Sequence, residues 1–91
     1  MSSMVRIDRD RAMHDLVSAA AEAYGVVFSR KTPDGKRRGL AKAIQRARRS
    51  EPPVTSEEID AIVDDAKRGG MDVHGVADEF ISKWLAPKDS R

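Results

Sequence analysis

Ninety-one residues with 40% hydrophobic content, 35% charged content and no cysteine describe one small, heavily solvated domain. They exclude disulfides and cysteine-based zinc sites, and no apolar run approaches the ~20 residues that a membrane span needs. The net charge of +2 hides a polarity: residues 1–50 hold twelve Lys/Arg against five Asp/Glu, whereas residues 51–91 hold five against ten.

A chain of this size buries only about 60–65% of its unfolded surface, so its core is thin and a homodimer would help it. The first residues lack the apolar centre of a signal peptide. With the missing cysteines, this points to a soluble, cytoplasmic protein. The charge polarity has two readings. It can mark an interaction surface, or the two halves can face each other and neutralise within the fold.

In chain order, residues 4–8 alternate, with Val5 and Ile7 on one face and Met4, Arg6 and Asp8 on the other. Both apolar residues are β-branched, which suits a short strand. Asp8 then caps a helix, because its carboxylate can accept from a free backbone N–H two or three residues on. Met13, Leu16, Val17, Ala20 and Tyr24 recur at helical spacing and define one face of a helix over about 9–24. Gly25 ends it.

Val26, Val27 and Phe28 form a β-prone triplet, followed by the turn-rich run Thr32-Pro33-Asp34-Gly35-Lys36. Two readings compete. Residues 26–31 can be a strand whose turn makes a hairpin to Arg37 and Arg38, or Thr32 and Pro33 can open a helix. The first is favoured, because Asp-Gly is poor material for an early helical turn. Strands around 5–7 and 26–30 could then pair.

A second helix is expected over about 38–49. Leu40, Ala43, Ile44 and Ala47 make its apolar stripe, while Arg38, Lys42, Arg46 and Arg49 align opposite. Glu51-Pro52-Pro53-Val54 breaks the chain where the charge changes sign. Thr55 and Glu58 form a capping box, and Val54 and Ile59 a hydrophobic staple. Ile59, Ile62, Val63 and Ala66 face inward on a third helix, which Gly69 closes as a left-handed cap. Asp72 is placed to cap a fourth helix with the apolar positions Val73, Val76, Ala77, Phe80, Ile81, Trp84 and Leu85. The expected fold is mainly α: a small four-helix domain with a short two-stranded β element near the N-terminus. Its basic half is 1–50 and its acidic helical hairpin, with a short tail, is 51–91. Together they make one compact domain.

The strongest functional signal is Arg30–Arg49, where nine of twenty residues are Lys or Arg and Asp34 is the single acid. A row of cations on one helix repels itself unless something anionic lies against it. Phosphates are the natural occupant, since binding them releases counterions. The nucleic-acid contacts expected on this ground are Lys36, Arg37, Arg38, Lys42, Arg46 and Arg49. No aromatic residue lies within 30–49, which favours duplex backbone over single-strand stacking. The acidic hairpin offers the alternative, a protein-binding surface that acts by occlusion through Asp72, Asp78, Glu79, Phe80 and Trp84.

His14 and His74 are isolated, so no metal box is expected. The carboxylates at 57, 58, 60, 64 and 65 read as a solvated helix face. No cofactor motif and no catalytic constellation is present, and enzymatic activity is not expected. Val5-Arg6-Ile7-Asp8 followed by an alanine-rich helix closed by Gly25 resembles the first half of ribbon-helix-helix repressors and antitoxins, over about 22 residues. That resemblance implies paired strands across a dimer, with Arg6 reading the major groove and a role in transcription regulation. Here about a dozen residues, including Pro33-Asp34-Gly35, intervene before the second helix.

Overall fold

The computed structural model describes residues 7–70 and 75–85. These residues form four helices: α1 (Arg9–Ala23), α2 (Pro33–Arg48), α3 (Ser56–Gly69) and α4 (Val76–Trp84). The mainly helical expectation therefore holds, and one hydrophobic core draws on all four.

Helix α1 is the central element. Asp8 caps it by accepting from the Arg11 backbone N–H at 3.2 Å, and Gly25 follows it at φ +77°. Its buried residues are Ala12, Leu16, Val17, Ala20 and Ala21. At 100° per residue they cover about half the circumference, which is why α1 touches α2, α3 and α4. Alanine at three of these positions lets neighbouring backbones come close. Leu16, Val17, Val54 and Ile62 are the largest fully enclosed side chains.

The connection from α1 to α2 corrects the expected β element. Among the described residues there is no strand. The backbone N–H groups of Val26 and Val27 both donate to the Ala21 carbonyl, at 2.8 and 3.3 Å, and the Val26 side chain is buried. The start of this segment thus folds back on the end of α1, with two of its N–H groups already taken. The N-terminal segment finds another neighbour. Asp8 and Glu51 form an isolated parallel bridge, with the Glu51 N–H donating to the Ile7 carbonyl at 2.9 Å. Pro52 and Pro53 have no N–H to extend it. Residues 4–6 of the expected strand lie outside the described residues.

The hairpin reading of residues 32–38 is also overturned. Thr32 is the N-cap of α2, its hydroxyl accepting from the Gly35 N–H at 3.0 Å, and Pro33 occupies the first turn. Proline's fixed φ suits that position, and Asp34 faces the positive helix end. Asp-Gly is tolerated because the cap satisfies the glycine's N–H. The helix therefore begins five residues earlier than expected. Leu40, Ala43 and Ala47 are buried beneath it, and Ile44 is half-buried.

Buried Ser50 secures the turn into the acidic half, its hydroxyl 2.9 Å from the carbonyls of Ala47 and Pro52. The capping box of α3 forms as read from the sequence, with Thr55 and Glu58 bonded reciprocally. Val54 and Ile59 are both buried. Gly69 is not the left-handed cap. It belongs to α3, and the cap is Gly70 at φ −64°. Space explains this second glycine: a Cβ on Gly70 would lie 1.9 Å from the Tyr24 carbonyl oxygen. The end of α3 thus abuts the end of α1. Helix α4 starts at Val76 behind Gly75, which sits at φ +73°; Asp72, expected as its cap, lies outside the described residues.

Candidate nucleic-acid interface

The basic row stands on a helix whose opposite side is fixed in the core. Rotation by 100° per residue places Arg38, Lys42, Arg46 and Arg49 within an arc of about 80°, roughly 140° from the buried stripe of Leu40, Ala43 and Ala47. All four are exposed. Arg37 and Arg48, also exposed, lie on the other flank of the exposed side. Lys36 is only half-buried and turns toward α1, beside a depression of about 340 Å³ lined by Ala23, Tyr24, Pro33, Arg37 and Leu40. It stands apart from the row.

Few carboxylates compete for these cations. Asp34 lies 3.4 Å from Arg38 and 3.9 Å from Arg37, with every side chain at least 70% exposed. Asp15 on α1 lies 3.9 Å from Arg46. Exposed pairs of this kind contribute about 0–1 kcal/mol and exchange readily for another anion. Arg30, Lys36, Lys42, Arg48 and Arg49 form no ion pair with any described residue. Among all ion pairs between described residues, only Arg9–Glu58 joins residues 1–50 to residues 51–91. Among the described residues, the two halves are thus joined by one ion pair.

A shallow groove between α1 and α2 continues the row. Asp15, Ser18 and Glu22 line it on one side and Gly39, Lys42 and Arg46 on the other, and Lys31 closes one end. Lys31 is held there by Glu22 at 2.8 Å. The connection before α2 thus adds a cation to the same side as the row.

The acidic surface is built differently. Glu58 accepts from the Thr55 backbone N–H at 2.9 Å and pairs with Arg9. These partners hold its carboxyl below the usual range. Asp65 is 15% exposed at its side chain and receives Lys83 at 2.7 Å, the Trp84 indole N–H at 3.1 Å, and Arg68. Burial alone would raise its pKa, but the Lys83 and Trp84 hydrogen bonds and the charges of Lys83 and Arg68 outweigh it, so the net shift is downward. These two of the five α3 carboxylates do not belong to a plain solvated face. They tie α3 to α1 and to α4.

Of the expected partner-binding residues, Asp78 and Glu79 are exposed, Phe80 is 5% exposed within the core, and Trp84 is half-buried against Asp65. Asp72 and the expected DNA reader Arg6 lie outside the described residues, as does His74. His14 is exposed, and no metal-capable cluster occurs among the described residues.

One residue was missed. Phe28 is 85% exposed, the sole large hydrophobic side chain so placed among the described residues. The sequence read it only as part of a β-prone triplet in the strand expected over 26–31. No family model, no curated protein and no solved structure matches this chain. No helix among the described residues is long and apolar enough to cross a membrane.

Proposed function

We propose that this protein is a small nucleic-acid-binding regulator or accessory protein that grips duplex DNA by its phosphates through the exposed face of α2. The observation that carries this is the row Arg38, Lys42, Arg46 and Arg49, fixed from behind by the core, in which Arg38 and Arg46 meet a carboxylate only in exposed pairs and Lys42 and Arg49 form no ion pair with a described residue. From Arg38 to Arg49 the row spans about 17 Å at 1.5 Å per residue. That exceeds the ~12 Å width of the major groove, so its ends can reach phosphates on both walls. Arg37 and Arg48 offer a second flank. Nothing in this arrangement reads sequence, because phosphate contacts position and base contacts specify.

Four phosphate contacts predict a slope of about −3.6 in log affinity against log salt, or roughly a hundredfold loss between 50 and 200 mM. Titration of a labelled duplex at those two concentrations tests this. Lys42→Ala with Arg46→Ala should weaken binding by roughly tenfold for each cation removed at about 0.1 M salt. Absence of binding at low salt, or an unchanged affinity in the double variant, overturns the proposal.

The acidic helices suggest a different class, a surface for a basic protein partner acting by occlusion. The exposed Asp78 and Glu79 support it, but Phe80 and much of Trp84 are occupied within the fold. Such a surface lacks the central aromatic anchors that concentrate binding energy.

A further inference from the structure

Phe28 leaves 85% of its surface in water while flanked by a basic segment. An exposed hydrophobic residue is ordinary in isolation. Its setting here is less ordinary. Before it, Val26 and Val27 are fastened to the Ala21 carbonyl. After it, the Ser29 hydroxyl accepts from the Lys31 N–H at 3.2 Å, and Lys31 pairs with Glu22. The backbone is thus held on both sides while the ring projects. Lys31 shares the groove of Lys42 and Arg46, and three residues of chain place Phe28 at most about 11 Å from it. A polyanion that contacts the row through this groove would pass the segment that carries the ring.

We propose that Phe28 is a wedge that stacks on a base exposed in the bound DNA, so that the protein prefers duplex containing an unstacked or bulged base to continuous duplex. The inference rests on the phosphate-binding reading and adds to it the kind of DNA preferred. Stacking on an aromatic ring tolerates any base, because each presents a π-face. Apolar side chains beside cationic surfaces insert between base steps and are offset by the contacts that the distorted duplex then makes.

A lipid surface would also accept an aromatic ring among cations, but it needs a broad apolar face to bind stably. The apolar side of α2 is already consumed, with Leu40, Ala43 and Ala47 in the core. One ring remains, which suits one base.

The test uses the full chain and two labelled duplexes of the same sequence, one continuous and one carrying a single bulged adenine. The wild-type protein should prefer the bulged duplex by about tenfold, within the range that one base–aromatic stack supplies. Phe28→Ala should lose the preference while keeping its affinity for the continuous duplex, and Phe28→Trp should restore it. Circular dichroism of each variant checks that the fold is intact. Equal wild-type affinity for both duplexes, or a preference that survives Phe28→Ala, overturns the wedge and leaves the phosphate reading standing. Binding to neither duplex overturns both. Phe28-dependent binding to phosphatidylserine vesicles with no preference between the duplexes overturns the wedge in favour of a lipid surface.

Discussion

Helices α2 and α3 carry similar densities of charge and use it in different ways. On α3, Glu58 and Asp65 are turned inward, each with several donors around it. On α2 and its C-cap, the cations other than Lys36 are exposed. Arg37, Arg38 and Arg46 meet carboxylates only in exposed pairs, and Lys42, Arg48 and Arg49 form no ion pair with a described residue. A charge with well-placed partners at partial burial contributes to the fold. A charge left in water beside others of its own sign weakens the isolated helix. Such a row adds little to stability, which is what the proposed phosphate contacts would account for.

The same contrast runs through the glycines. Gly70 holds the seam between α3 and α1, while Gly39 lies in α2 with nothing within 4 Å of where a Cβ would stand. The largest expected effect is therefore Gly70→Ala. It forces a methyl against the Tyr24 carbonyl and should cost about 3 kcal/mol, read as a lower urea midpoint. Gly39→Ala should move the midpoint the other way, by up to about 1 kcal/mol. Equal shifts in one direction would contradict the distinction.

Next in size is Asp65→Ala. It removes the acceptor for the Trp84 indole and the anchor for Lys83, and should destabilise by about 1–3 kcal/mol. The pH dependence has the same origin. Glu58 and Asp65 titrate below their ordinary values of 4.5 and 3.8 in the folded protein. Around those values the unfolded chain binds more protons, so stability rises with pH. Their contribution is complete above pH 4.5 and lost as the pH falls through the lower folded values. Melting temperature followed from pH 6 to about 3 should drop across that window. Glu58→Gln with Asp65→Asn should flatten the drop; an unchanged profile would show that these carboxylates do not tie the helices together.

The smallest expected effect on stability belongs to α2. Lys42→Ala with Arg46→Ala should leave the unfolding free energy within about 0.5 kcal/mol of wild type, since Arg46 loses only a surface pair with Asp15. A loss of 2 kcal/mol or more would mean that the row serves the fold after all.

Much of this fold was legible because local chemistry decided it. Asp8 as a cap, Thr55 with Glu58 as a capping box, and the stripe of Leu40, Ala43 and Ala47 are set by neighbours within one or two turns. What was misread depended on distant contacts. Val26 and Val27 have strand propensity, but their N–H groups are taken by the Ala21 carbonyl. Pro33 competed with Asp34-Gly35, and the Thr32 cap decided in favour of helix. Gly70 is needed for its approach to Tyr24, a partner forty-six positions away that no local pattern could name. The candidate site was legible as a run of charge. The spacing of Arg38, Lys42, Arg46 and Arg49 already marked one row, whereas the exposure of Phe28 depends on how the 26–28 segment folds back, which no local pattern shows.

The account rests on the separation of ligand-facing from fold-serving charge. Its most direct test is the salt dependence of duplex affinity in a protein carrying Arg38→Ala, Lys42→Ala, Arg46→Ala and Arg49→Ala together, beside wild type. The expected result is a log–log slope that falls from about −3.6 toward zero while the helical circular-dichroism spectrum is retained. A slope that stays near the wild-type value in a folded quadruple variant would place the phosphates elsewhere and contradict the assignment of α2.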